Sequence, residues 1–282
     1  KSLGDNRGME LNRTENRSHL ARWARHVAVF GVQVLVVGIV LHRFLSISTP
    51  LALNLFKTAL GFAVVAVILA LAAYVGIWRD GRSGGWNAAA GLGLGLAMLA
   101  WPVVLVPTAR SLPAIHDIST DTNRPPSFVE LAKLRPRDAN PTAYGGEDVA
   151  EQQQAAYPDI KPLYIERSVS DAWDIMGETL RGLKWHVVAE VQPAGPGVAG
   201  RYEAYTRTLI LGFYDDVVVR IVGNSRSARI DVRSQSRYGR HDFGANAKRV
   251  RRLLKEFEVR LAATVARQEH PRRSSNRSNT DK

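Results

Sequence analysis

Three stretches without a single Asp, Glu, Lys or Arg dominate the first third of the chain: Val27–Leu41, Thr58–Trp78 and Trp86–Val106. Roughly 20 apolar residues cross a bilayer core. The second and third stretches reach that length outright. The first does so over Arg25–Leu45, with Arg25 and Arg43 carrying their charged heads outward on apolar stems. Helices buried in soluble cores are usually shorter and keep a polar side. Residues 25–106 are therefore predicted to form three transmembrane helices.

Lys and Arg in the flanks set the direction of insertion. Lys1, Arg7, Arg13, Arg17, Arg22 and Arg25 precede the first span, and Arg79 and Arg82 separate the second from the third, whereas only Arg43 and Lys57 edge the loop between the first two. This places a basic segment, residues 1–24, in the cytoplasm. Everything after Val106 then lies across the membrane, which for a multi-pass protein of a bacterial inner membrane is the periplasm. A second reading makes the first span a cleavable signal peptide, with Arg22 and Arg25 as its basic start and Ser46-Ile47-Ser48 as its cleavage site. The C-terminal half stays on the same side either way. Met9 is a candidate start, which would set residues 1–8 apart from the native chain. Transport normally needs ionisable groups at mid-bilayer, and the spans offer only Gln33 and Asn87. Gly91/Gly95 and Ala89/Gly93/Ala97 form rows that suit close helix approach, either to the chain's own helices or to a second copy in a homo-oligomer. Pro102 and Pro107 mark the expected end of the third span.

The chain has no cysteine, so a domain outside the cytoplasm must stand without disulfides, and thiolate chemistry is excluded. Residues 107–161 are rich in Pro, Asp and Gln and read as a linker partly docked on the domain that follows. Within it, Asp117–Asp121 suggests an Asx-turn, and Arg124–Phe128 an extended segment anchored by Phe128. Glu147–Ala156 has helix formers but no apolar face, so an exposed helix or a tether is expected. Over residues 162–266 the pattern sharpens. A strand at Leu163–Ile165 precedes a helix opened by Ser168 and Asp171, with Ala172, Trp173, Met176, Leu180 and Leu183 on one stripe. Strands follow at Trp185–Val191, Arg201–Thr208, Asp216–Val222 and Ala228–Ser236. A last helix, about Asp242 to Ala266, turns Val250, Leu253, Leu254, Phe257, Leu261 and Val265 inward. The order β-α-β-β-β-β-α packs most simply as an antiparallel sheet backed by two helices, a helix-grip-like α+β domain. Residues 267–282, rich in Ser, Asn and Arg, are expected to be disordered.

Four motifs run through this region: Asp117–Asp121 with Pro125, Pro126 and Phe128; Gly212–Arg220 (GFYDDVVVR); Asp231–Arg237 (DVRSQSR); and Gly239–Asn246 (GRHDFGAN). Together they resemble the family known as domain of unknown function 1499 (DUF1499), found in bacterial envelopes and plant plastids, over roughly Asp117 to Leu261. The resemblance implies the identity of the domain and supplies no activity. Tyr214 stands where the family leads one to expect proline or a small residue, a departure expected to affect only a turn.

Alternation along Ala228–Arg237 sends Ala228, Ile230, Val232, Ser234 and Ser236 to one face and Arg229, Asp231, Arg233, Gln235 and Arg237 to the other. In the preceding strand Val217, Val219 and Ile221 share the first face, and Asp216, Val218 and Arg220 the second. A charge lattice on an open sheet face follows, with Arg207 on the next strand. It is either a solvated net of weak ion pairs or a site where Arg207, Arg220, Arg233 and Arg237 outnumber their acids and bind an anion by bidentate contacts. Asp215 and Asp216 point to opposite faces of a strand, which suits turn capping and an ion pair to Arg220 better than paired catalysis. Asp242 and Asn246, one turn apart at the start of the last helix, suit capping and a backbone contact. No two of the seven histidines have the i,i+4 spacing of a metal-binding helix, and no G-x-S-x-G, Walker loop or dinucleotide fingerprint stands in context. No catalytic residue, metal or cofactor is assigned. Half of the net charge of +12 lies in the first 106 residues, where it serves topology. The rest gathers over residues 226–260, with Lys248, Arg249, Arg251, Arg252 and Lys255 on the polar face of the last helix. In that compartment it suits an anionic lipid or an acidic protein better than nucleic acid.

The expectation is a non-enzymatic envelope protein whose far-side domain docks a partner protein or an anionic envelope component through an arginine-rich sheet face. Two alternatives stand beside it. A carrier would hold a hydrophobe between sheet and long helix and needs a large apolar cavity. A hydrolase needs Asp215, Asp242 or His241 to converge in a cleft.

Overall fold

The computed structural model describes residues 17–277, with side chains as far as Thr264. Most of the basic N-terminal segment, the Val265 side chain and residues 278–282 lie outside the described residues. Contacts divide the chain into a helical unit, Lys1–Thr108 with Leu209–Gly212, and a second unit, Ala109–Thr208 with Phe213–Lys282.

The helical unit holds α1 (His19–Phe44), α2 (Thr49–Asp80) and α3 (Gly85–Ser111), each long and apolar enough to cross a membrane. Ser18 starts α1 by accepting the Ala21 N–H at 3.2 Å, and Gly81, at φ 64°, closes α2 in the left-handed conformation that glycine adopts without strain. Small residues let the helices approach closely. A methyl group on Gly91 would lie 2.7 Å from the Ala24 carbonyl carbon, and one on Gly95 2.8 Å from Val67 Cγ2. The Gly91/Gly95 row is thus occupied by the chain's own helices, the first of the two uses expected for it. The prolines do not end α3, which runs through Pro102 and Pro107 to Ser111. Proline keeps a helical φ and forfeits one hydrogen bond, a loss that membrane helices tolerate.

In the second unit the order is β1 (Asp117–Ser119), α4 (Glu130–Leu134), α5 (Glu147–Ala156), β2 (Leu163–Ile165), α6 (Val169–Gly182), β3 (His186–Val191), β4 (Gly200–Arg207), β5 (Tyr214–Gly223), β6 (Ala228–Ser236) and α7 (Ala245–Arg277). The six strands form one antiparallel sheet in the order β1-β6-β5-β4-β3, with β2 also paired to β6. Two helices back it, as the alternation predicts. Val217, Val219, Ile221, Ile230 and Val232 of the sheet pack with Trp173, Met176 and Leu180 of α6 and Val250, Leu253 and Phe257 of α7. Ser168 caps α6 by accepting the Asp171 N–H at 3.0 Å. Asp242 caps α7, accepting the N–H groups of Gly244 and Asn246, each at 2.8 Å. The last helix continues to Arg277 instead of stopping at Ala266.

The linker differs most from expectation. Asp117–Ser119 is a strand, β1, paired with Arg233–Gln235 of β6. The Asx-turn belongs to Asp121 alone, whose Oδ1 accepts the N–H groups of Asn123 and Arg124. α5 is not a tether. Its fully buried Gln153 accepts the Ser119 N–H at 2.9 Å and donates to the Ser119 carbonyl at 2.7 Å, so a side-chain amide completes the backbone pairing of edge strand β1 as another strand would.

Candidate functional site

The outer face of β4, β5 and β6 carries the residues singled out from the sequence, and their register follows from antiparallel pairing: Arg220 opposes Asp231, Val218 opposes Arg233, and Arg207 opposes Tyr214. The face is not open. Residues 120–144 lie over it, held by an apolar peg and a buried carboxylate. Phe128 packs with Leu131 and Val218, between the guanidinium groups of Arg135 and Arg233, 5.0 and 4.8 Å from its ring centre. Glu203, with no exposed surface, accepts the N–H groups of Val129, Glu130 and Leu131 at 2.8–3.2 Å and pairs with Arg201 at 2.9 Å. It satisfies the first turn of α4 from beneath. Sequence reasoning missed Glu203, Gln153 and Arg135, because a polar anchor leaves no mark in hydrophobic periodicity.

Under this cover the arginines turn to internal acids. Arg233 grips Asp117 with two hydrogen bonds, 2.9 and 2.7 Å, and donates to the carbonyls of Pro126 and Thr142. Its side chain is 3% exposed. Arg237 and Arg135 share Asp216, the closest approach of each being 2.7 Å. Arg220 and Arg229 share Asp121 and Asp231 at 2.7–3.0 Å. Burial alone would raise the Asp121 carboxyl, but the Arg124 N–H and the Arg229 and Arg220 guanidinium groups outweigh it and hold the pKa below the ordinary value of 3.8. Arg207 stacks over Tyr214, 4.6 Å from the ring centre, and Arg237 sits 5.0 Å from the same ring. Tyr214 is therefore a seat for two cations and more than a turn residue. The face expected to be open is covered instead: the linker brings Asp117, Asp121 and Arg135 onto it, and Arg220, Arg233 and Arg237 each have an acid partner there, with five guanidinium groups, those of Arg135 and Arg229 included, sharing four carboxylates.

Asp215 and Asp216 do point to opposite faces. Asp215 lies on the core side and pairs with Arg249 of α7, and burial pushes its carboxyl up against that pairing. Neither pairs with Arg220, which corrects that expectation: Arg220 lies four residues further along β5, about 13 Å from Asp216 at the rise of a strand. Asn246 donates to the His116 carbonyl and Ser236 Oγ and accepts from Ser234 Oγ and Arg249. His241 accepts the Phe243 N–H and lies 3.2 Å from the Ala109 carbonyl oxygen. Asp215, Asp242 and His241 are each engaged by structural partners.

Of the five basic residues singled out on the first turns of α7, Arg249 is turned inward to Asp215, and Arg251 pairs bidentately with Asp159 at 2.6 and 2.7 Å. Lys248, Arg252 and Lys255 remain exposed, and among the described residues none of them has an ion-pair partner. Their spacing of four and then three residues aligns them along one stripe of the helix.

A family model described as "Protein of unknown function (DUF1499)" matches residues 117–257, the span that holds the sheet, its cover and the capped start of α7. No curated protein and no solved structure matches the chain.

Proposed function

The chain belongs to the DUF1499 family of unknown function, and from that premise we propose that it is a multi-pass inner-membrane protein whose α+β domain stands in the periplasm as a non-enzymatic docking module for an anionic envelope component. The single observation that carries the docking reading is the unmatched stripe of Lys248, Arg252 and Lys255 on α7, the helix that backs the inner face of the sheet, whereas Arg220, Arg233 and Arg237 on the outer face already have acid partners. A clustered set of exposed cations attracts an acidic lipid or protein surface through its summed field, and salt screens that attraction.

Orientation is supported within the helical unit. The Ser18 N–H donates to the Ser83 carbonyl at 2.9 Å, so the basic flank of α1 and the Arg79/Arg82 connection lie at one end of the helices, as the positive-inside rule asks of a cytoplasmic end. The filled interface of sheet, α6 and α7 counts against a carrier, and the structural engagement of Asp215, Asp242 and His241 counts against a hydrolase.

The test uses the full chain in nanodiscs of neutral lipid, mixed with phosphatidylglycerol-rich or phosphatidylcholine vesicles. Wild type should capture the anionic vesicles, less so at high salt, and a variant with Lys248, Arg252 and Lys255 all changed to Gln should lose capture while Arg220→Gln retains it. Equal capture by the triple variant contradicts the reading.

A further inference from the structure

A cleft of about 490 Å³ opens where the approach to β1 meets the loop before α5 and the end of β6, a volume in the range of small-ligand sites. Ile115 and Val149 give it an apolar wall, and His116, Tyr144, Gln235 and Arg240 line it with polar groups. Two of these groups are left without partners. The Tyr144 hydroxyl and Gln235 Oε1 are buried, and neither makes a hydrogen bond.

The orphaned state of Gln235 is not a matter of which way its amide is drawn. Its Nε2 donates to Asp117 Oδ2 at 3.0 Å and to the Pro141 carbonyl at 2.9 Å. Turning the amide over would set its oxygen against two acceptors. Asp117 in turn is fixed by Arg233. The Oε1 atom is therefore held in place as an acceptor that lacks a donor. Tyr144 is likewise seated, with its ring 5.5 Å from the Arg233 guanidinium, and burial raises its pKa so that the hydroxyl keeps its proton. Burial lowers the pKa of His116, which leaves a neutral imidazole at pH 7. The exposed charge on the lining is Arg240, which among the described residues has no acid partner. Buried polar groups without partners are rare in folded proteins, and a ligand that supplies the missing bonds is one accepted reason for them.

We propose that this cleft binds the carboxyl end of a short peptide or acyl-amino acid: the ligand amide N–H donates to Gln235 Oε1, its acyl oxygen accepts from the Tyr144 hydroxyl, and its carboxylate pairs with Arg240. The cleft is separate from the α7 stripe and does not depend on the docking reading. Asp117 and Arg233, already engaged with each other, hold the cleft in shape and take no part in the contact.

The probe is N-acetyl-alanyl-alanine, titrated calorimetrically into the full chain in detergent micelles, with the same dipeptide bearing a C-terminal amide as the control. The free acid should bind, and amidation or Arg240→Gln should each weaken binding by about tenfold or more, the loss of one charged hydrogen-bonded pair. Tyr144→Phe should weaken binding about as much as a neutral hydrogen bond allows, roughly fivefold. It should also leave the melting temperature without ligand unchanged or higher, because it removes a hydroxyl that has no protein partner. No binding by folded wild type, equal binding of acid and amide, or a Tyr144→Phe variant that binds normally or melts lower without ligand would each overturn the assignment.

Discussion

The two faces of β6 carry the same alternation and opposite chemistry. Ala228, Ile230 and Val232 pack into the core against α6 and α7, while Arg229, Asp231, Arg233, Gln235 and Arg237 look the other way. Yet Arg233 and Gln235 are as thoroughly removed from water as the valines behind them. Alternation tells which residues share a face. It does not tell whether that face is wet, and here the part of the charged face around Arg233, Gln235 and Arg237 is a second interior, covered by a segment that reads as linker, while Arg220 and Arg229 stay partly exposed.

The comparison breaks first at its strongest contacts. Phe257→Ala on the inner face should cost about 3–5 kcal/mol as a large ring leaves a cavity. If the outer face is also interior, Arg233→Met should cost a similar amount, about 3–5 kcal/mol, because Asp117 is left buried and unpaired. Urea unfolding of the full chain in micelles, followed through the protection of β6 amides, measures both. A loss below about 1 kcal/mol for Arg233→Met, the range of an exposed pair, would return the lattice to the surface.

A smaller effect sharpens the same point. Glu203→Gln removes the charge that receives three N–H groups at the start of α4 and should cost about 1–3 kcal/mol. Limited proteolysis should then cut residues 120–144 before the sheet opens. Equal cleavage rates in wild type and variant would mean that the carboxylate does not hold the cover down.

Acid gives the smallest change. The Asp121 carboxyl has its pKa held below 3.8 in the folded chain, so the folded state binds its proton less readily than the unfolded state. Its contribution to stability is fully present above that value and is lost as pH falls through the lower, folded pKa. Asp121→Asn should therefore flatten the acid limb of the stability curve below about pH 4 and leave the slope near neutral pH alone. An unchanged acid limb would separate Asp121 from the lattice.

How far the sequence carries the fold follows from the same contrast. The three apolar helices, the inner face of the sheet and the stripes of α6 and α7 are legible because apolar periodicity reports burial whatever the partner is. The Ser168 cap and the Phe128 anchor are legible for local reasons: a hydroxyl at a helix start, and an aromatic ring in a polar stretch. The cover is not. Glu203 meets residues more than 70 positions earlier, Gln153 stands in for a strand, and Arg135 in an unremarkable stretch meets Asp216. Polar groups at such separations carry no period, so composition reads them as solvated. The same reasoning overcounted free arginines and left the stripe on α7 undistinguished from its paired neighbours Arg249 and Arg251.

Hydrogen exchange of the full chain in micelles tests most directly whether the charged face is an interior. The amides of Val129, Glu130 and Leu131, which donate to Glu203, and of Ser119, which donates to Gln153, should exchange as slowly as those of neighbouring sheet strands. Exchange at the rate of an unstructured linker would show the cover to be absent, and with it the internal matching of the arginines.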